Sequence, residues 1–284
     1  MGMQWVNHNG NIVSYGGLII SPSNRAFRYG DGIFESIRFA NGIPLWMQFH
    51  WERLIKSLKV LQISVPESWD EEFFTNQIIL LCQKNQFINA RIRLNIFRQD
   101  GGFYKPEVND GSFLIEASPL QHPQYQLNEK GILLETYTQI TKTKNILSAL
   151  KTNNALPNVM AANYAKSKNA DDAILLNDSG NIAEATSSNI FIVKNGKYYT
   201  PSIEEACVDG VMRRVIMEMA ANHQIQMYDC ALSLNDLFDA DEIFLTNAIC
   251  GMKWVLGFKE KRYYHQNSGK LMSLLNSVTF TEDV

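Results

Sequence analysis

The chain has 284 residues, 45% hydrophobic and 19% charged, with a formal net charge of −3 at neutral pH. That length supports a substantial core and two domains, and the composition is that of an ordinary soluble globular protein. A small negative charge without a basic tract points away from a nucleic-acid surface, while local arginines can still hold small anions.

In chain order, residues 10–20 read as a short hairpin and strand, and Ile33-Phe34-Glu35-Ser36-Ile37-Arg38-Phe39 alternates with period two before a tight Asn41-Gly42 turn. From about 50 to 62, Leu54, Ile55, Leu58 and Leu61 recur at helical spacing, leaving His50, Arg53 and Ser57 along a neighbouring stripe. A second helix is expected over 69–85, then strands over 90–98 and 112–117 around a polar, glycine-bearing loop at 99–110. Ser118-Pro119-Leu120-Gln121-His122-Pro123-Gln124, with two prolines and no periodicity, reads as a boundary. We therefore expect a mixed α/β chain with an N-terminal α/β domain over 1–118, a linker over 119–130 and a C-terminal domain over 131–284. In the latter, strands are expected over 132–137, 173–176, 189–193, 198–200 and 241–246, and helices over 155–168, 211–222 and 270–278.

Cys82, Cys207, Cys230 and Cys250 have no paired short spacing, and the five histidines form no metal-ligand motif, so reduced thiols and no metal are expected. Apolar runs such as Leu18-Ile19-Ile20 are far too short to span a bilayer. The start, Met1-Gly2-Met3-Gln4-Trp5, has neither a basic region nor an apolar segment, and Val6 stands where a myristoylation signal after Gly2 wants Ser or Thr. A cytoplasmic protein with no membrane partner is the expectation.

Lys151, within Ser148-Ala149-Leu150-Lys151-Thr152-Asn153-Asn154, and Glu184, within Asn181-Ile182-Ala183-Glu184-Ala185-Thr186-Ser187-Ser188-Asn189, carry the chemistry. A lysine that attacks a carbonyl needs a desolvated site, and a carboxylate can hold a ring nitrogen protonated so that an aldehyde cofactor, pyridoxal phosphate, withdraws electrons. Alone, each has an ordinary surface explanation. Arg53 on its helix, Gly210-Val211-Met212 opening a helix, and Thr246-Asn247-Ala248 ending a strand could together cradle a phosphate.

The order of these pieces resembles the class IV aminotransferase family, also called fold-type IV pyridoxal-phosphate enzymes, from Arg25 to about Val255. Phe27-Arg28-Tyr29-Gly30-Asp31-Gly32-Ile33-Phe34-Glu35-Ser36 is similar to its N-terminal strand motif, and His50-Trp51-Glu52-Arg53-Leu54 to its H-x-x-R-L helix. Lys151 falls at its Schiff-base lysine, Glu184 to Phe191 at its E-x-x-x-x-N-x-F segment, and Thr200-Pro201 and Gly210-Val211-Met212-Arg213 at its T-P and G-x-x-R elements. The resemblance implies two domains, the larger C-terminal one barrel-like, and a homodimer with active sites near its interface and between domains. It implies that Lys151 carries pyridoxal 5′-phosphate and shuttles a proton, and that Glu184 binds the pyridine nitrogen. Arg53, Val211, Met212, Asn247 and Ala248 would bind the phosphate, and Tyr164 or Asn163 the phenolic oxygen.

The activity implied is transfer of an amino group between an amino acid and a 2-keto acid, as in branched-chain or D-amino-acid aminotransferases. The alternative is an aminodeoxychorismate lyase releasing 4-aminobenzoate and pyruvate. Ser36 replaces the glycine usual in branched-chain enzymes, and Thr246-Asn247-Ala248 and Arg98-Gln99-Asp100-Gly101-Gly102 are similar to the lyase's strand end and loop. Against this, Arg93 lies where branched-chain enzymes have a substrate-region arginine; Arg91 stands for their tyrosine, and Phe34 for a frequent Tyr. Phe34, Ser36, Arg91 and Arg93 are thus the candidate substrate residues. A non-catalytic cofactor-binding scaffold has no need of Lys151, Glu184 and Arg53 together.

Overall fold

The computed structural model describes residues 4–18 and 20–280; the expectations resting on residues 1–3 and on Ile19 lie outside them. The chain forms two compact units, one of residues 1–123 with 150–154 and one of residues 124–149 with 155–284. The chain thus changes unit at Pro123/Gln124, and the Lys151 segment, which the sequence reading put in the C-terminal domain, groups with the first unit.

In the first unit the elements are β1 (Trp5–His8), β2 (Asn11–Ser14), α1 (Arg25–Tyr29), β3 (Gly32–Ala40), β4 (Ile43–Pro44), α2 (Met47–Leu61), α3 (Glu71–Asn85), β5 (Ala90–Arg98) and β6 (Gly111–Pro119). The strands form one antiparallel sheet in the order β2-β1-β6-β5-β3-β4. Asn41 and Gly42 both take positive φ, 53° and 84°, the mirror-image turn that matches strand twist in a two-residue hairpin.

Alternation sorts the side chains. Ile33, Ile37, Ile92, Leu94, Ile96, Phe113 and Ile115 enter the core with Leu54 and Leu58 of α2 and Phe74, Ile78 and Leu81 of α3. Phe34, Ser36, Arg93 and Asn95, in the intervening positions, are half-buried on the opposite face. Helix α3 starts where the sequence allows: Asp70 accepts the Phe73 N–H at 2.7 Å.

The second unit contains β7 (Ile132–Lys142), α4 (Leu156–Ser167), β8 (Asp172–Asn177), β9 (Ile182–Ala185), β10 (Asn189–Lys194), β11 (Lys197–Pro201), α5 (Val211–Asn222), β12 (Met227–Cys230), α6 (Leu234–Asp239), β13 (Glu242–Asn247), β14 (Gly251–Phe258), β15 (Lys261–Arg262) and α7 (Gln266–Thr279). Its sheet runs β12-β11-β10-β13-β14-β7-β8-β9, with β15 beside β14; β7 lies parallel to β8 and β14, and β11 to β12. Strand β14 was not expected. It is buried almost continuously, so it carries no alternation to read. The buried Glu242 accepts the N–H groups of Asn267 and Ser268 at 2.7 and 2.9 Å, so a strand carboxylate caps the positive end of α7.

Among the described residues no helix is long and apolar enough to cross a membrane, and no cluster of His, Cys, Asp and Glu could hold a metal ion. Phe74 sits between Trp51 and Trp69, ring centroids 5.9 and 5.8 Å away. Phe74→Ala should destabilise the first unit by about 3–5 kcal/mol, read by tryptophan fluorescence in urea; a loss under about 1 kcal/mol would show that the aromatic cluster is not its core.

Candidate active site

Lys151 lies outside helix and strand, yet its backbone is fixed. The Phe34 N–H donates to the Lys151 carbonyl at 2.9 Å, and the Asn153 N–H to the Gly32 carbonyl at 2.9 Å. Ile33 and Thr152 form an antiparallel bridge. Because β5 takes one edge of β3, residues 151–153 add to the other, beyond the reach of short β4. The Asn153 Nδ2 also donates to Asn95 Oδ1 at 2.9 Å.

Lys151 is half-buried, and its Nζ stands 4.4 Å from the centre of the Phe34 ring. The Arg93 guanidinium stands 3.7 Å from the same centre. One aromatic ring therefore carries both an amine and a guanidinium. Burial lowers the pKa of Arg93 against the opposing pull of Glu116. Ser36 is the cross-strand partner of Arg93, and Arg91, exposed, is two residues along on that face. All four sequence-predicted substrate residues thus share one side of the first sheet.

Glu35 points the other way. Its carboxylate accepts Arg53 Nε at 2.8 Å through one oxygen, and Arg53 Nη2 and His50 Nδ1, the latter at 2.7 Å, through the other. Arg53, predicted as a phosphate ligand, therefore has its Nε–Nη2 edge on a carboxylate to which the sequence reading gave no role. Burial alone would raise Glu35, but Arg53 and His50 outweigh it and hold it at about 2. Burial depresses His50, and the charges of Arg53 and Lys151 add to that against Glu35. A neutral imidazole donating from Nδ1 follows, leaving Nε2 buried without a hydrogen-bond partner among the described residues.

In the second unit Glu184, buried on β9, is ion-paired through Oε1 with Lys142 Nζ at the end of β7 and accepts the Val208 N–H through Oε2 at 2.9 Å. The Val208 carbonyl accepts Asn189 Nδ2 at 2.9 Å. Helix α5 follows, with Gly210 as its N-cap, so the cap residue brings no side chain to the first-turn N–H groups at Val211 and Met212. Asn247 caps its own turn: Oδ1 accepts the N–H groups of Ile249 and Cys250 at 3.1 and 2.9 Å, and Nδ2 donates to Ser188 Oγ at 3.0 Å. The Ala248 carbonyl accepts Tyr125 Oη at 3.4 Å. Tyr164, on α4 with Asn163, packs its ring 5.5 Å from that of Tyr137. Sequence reasoning missed Lys142, Glu35 and His50 as partners. A buried acid at an alternating core position was the signal for Glu35; Lys142 carried none.

The second unit supplies parts that fit a small anionic aromatic cofactor: a buried carboxylate for a ring nitrogen, a helix start whose cap is a glycine for a phosphate, and a buried Thr246 Oγ1 without a partner among the described residues. Residues 32–256 match the profile of the amino-transferase class IV family. The chain belongs to that family. Class IV aminotransferases use pyridoxal 5′-phosphate. The chain is 32% identical over 239 residues to a provisionally assigned branched-chain-amino-acid aminotransferase of Methanocaldococcus jannaschii, covering 84% of this chain and 82% of that one. It is 30% identical over 269 residues to the aminodeoxychorismate lyase of Bacillus subtilis, covering 94% and 90%. In fold it is similar to the branched-chain amino acid aminotransferase of Escherichia coli: TM-score 0.88, 22% identity, 99% and 96% covered. This is the mixed α/β, fold-type IV architecture.

The buried ion pair should make the first unit acid-sensitive. Glu35 has a folded pKa below its ordinary 4.5, so its contribution is full above that value and is lost as pH falls toward about 2. His50 also lies below its ordinary 6.5, so the folded state prefers the neutral ring and stability falls once pH drops through that value. Glu35→Gln should cost about 3–5 kcal/mol at pH 7, and His50→Gln should flatten the loss between about pH 7 and 5. Denaturation midpoints across pH check both; an unchanged slope in His50→Gln contradicts the assignment.

Proposed function

We propose that this class IV aminotransferase moves an amino group between an amino acid and a 2-keto acid, with Lys151 as the cofactor-bearing amine and Arg93 receiving a substrate carboxylate. The supporting observation is the shared Phe34 ring, 4.4 Å from the lysine nitrogen and 3.7 Å from the guanidinium carbon. Amino acids and keto acids both present a carboxylate one carbon from the reacting centre, which matches an arginine one ring from the amine.

Pyridoxal 5′-phosphate, when bound, supplies an aldehyde and an electron-withdrawing ring. Lys151 would hold it through its amine and, once the substrate's amine has taken that place, would be free to move a proton at the substrate Cα. Phe34 shields the amine from water. Glu184 would accept a hydrogen bond from the cofactor's ring nitrogen, a role for which Lys142 and the Val208 N–H hold its carboxylate in place. The first-turn N–H groups of α5, the Asn247–Ala248 backbone and Arg53 would bind the phosphate. Ser36 and Arg91 extend the substrate face beyond Arg93.

We further infer a cytoplasmic homodimer using small-molecule substrates and branched-chain or D-amino donors. The four cysteines are free, consistent with a reducing compartment. Leu156, Val159 and Met160 form an exposed apolar stripe on α4 that a second copy would cover.

The lyase reading is favoured by the Bacillus subtilis relative, which spans 94% of the chain, and by the Ser36 hydroxyl on the substrate face. Two of its sequence pointers have other tasks. Arg98 is bound to Asp31, Asn109 and the carbonyls of Leu61 and Gln62, while the Gly101 and Phe103 carbonyls bind Arg25. They support a loop.

Adding L-leucine, L-glutamate or D-alanine to the loaded enzyme should bleach the cofactor's visible band with release of the matching keto acid. If none does and aminodeoxychorismate yields pyruvate, the chain is a lyase. Lys151→Ala should lower turnover by at least about 10³-fold, with the fold intact by circular dichroism; wild-type turnover would remove the lysine from the mechanism. Arg93→Met should lower kcat/KM about 10–100-fold, and an unchanged value would take the carboxylate elsewhere.

A further inference from the structure

Both ends of the Glu184–Asn189 stretch converge on Val208. Its N–H donates to Glu184 Oε2 and its carbonyl accepts Asn189 Nδ2, each at 2.9 Å. The stretch is itself held firmly: Ala185 N–H donates to the Ser188 carbonyl at 2.9 Å, Thr186 Oγ1 to Asp172 at 2.6 Å, and Asn189 opposite Thr246 opens β10. Asn189 is buried.

The other end of the Asn189 amide faces Gly210. That residue has φ −72°, which any amino acid adopts, so torsion does not demand a glycine. Space does: a Cβ on Gly210 would overlap Asn189 Oδ1. One amide thus holds the residue two before the cap with its nitrogen and abuts the cap with its oxygen. Directly beyond, α5 begins, with Val211 and Met212 in its first turn.

We infer that Asn189 is a positioning residue for the cofactor phosphate: it sets the aim of the first-turn N–H groups of α5, and position 210 is glycine to receive the Asn189 amide. The inference rests on the reading above that the phosphate lies at this helix start. Asn189 touches no phosphate itself; it acts through Val208 and Gly210. A residue that merely filled the core would affect phosphate-bearing and phosphate-free cofactor alike.

The test compares equilibrium binding of pyridoxal 5′-phosphate and of pyridoxal, which lacks the phosphate, to apoprotein. Asn189→Ala should weaken pyridoxal 5′-phosphate at least about tenfold, the size of one charge-assisted hydrogen bond, and change pyridoxal less than about twofold. Gly210→Ala should do the same, and Gly210→Ala on top of Asn189→Ala should cost nothing more, because the added methyl enters vacated space. Asn189→Ser, too short to reach the Val208 carbonyl, repeats the measurement with a polar side chain should the alanine variant fold poorly. Equal losses for both ligands, or a Gly210→Ala penalty undiminished by Asn189→Ala, overturns the inference. Equal affinity of the unsubstituted protein for the two ligands would remove the phosphate from this terminus, and the inference with it. Failure of that protein to bind either would sink the cofactor assignment itself.

Discussion

The backbone hydrogen bonds between residues 151–153 and β3 are the constraint on which the first unit's chemistry depends. They place the lysine segment beside the strand that carries Phe34 toward one face and Glu35 toward the other. A strand's period of two leaves no freedom here. A slip of one residue would turn Glu35 toward the amine and bury Phe34 against α2. The same register sets Ser36 opposite Arg93. The surroundings of Lys151 are thus fixed by a ladder of main-chain bonds in which its own side chain takes no part.

The second unit manages a buried negative charge. A carboxylate taken out of water needs a counter-charge and filled lone pairs, or it protonates. Glu184 has both, from Lys142 and the Val208 N–H. That pairing suits the place proposed for it, beside a cofactor ring nitrogen. The same contact ties the acid to the loop that launches α5, so the places proposed for the cofactor's ring nitrogen and phosphate are linked through Val208. Glu35 offers a contrast: Arg53 and His50 hold it anionic, and it fastens α2 to the first sheet.

Much of this was legible in the chain. Period two in residues 33–39 and 90–98, helical period around Leu54 and Leu58, and Asn-Gly turns mark elements whose one face is wet and whose other is dry, so the pattern survives in composition. Strand β14 was not legible, because burial on both faces erases the alternation. The order of Lys151, Glu184 and Gly210 signalled the family chemistry. What they lean on was hidden: Lys142 lies 42 residues from Glu184, and Asn189 lies 19 residues from Val208. No local period links such pairs. The bounds of the first unit were also beyond reach, since the return of 150–154 to β3 rests on main-chain bonds that any residue type can make. At Arg53 the motif letters named a phosphate ligand and gave no sign that the same side chain also closes a buried ion pair with Glu35.

The central claim is that Lys151 is the amine that takes the cofactor. Incubating the protein with pyridoxal 5′-phosphate, reducing with borohydride and mapping the modified peptides by mass spectrometry tests it most directly. One phosphopyridoxyl group per chain is expected, on Lys151, with Lys142 unmodified beside Glu184. Label on Lys142 or another lysine in place of Lys151, or none at all, would contradict it.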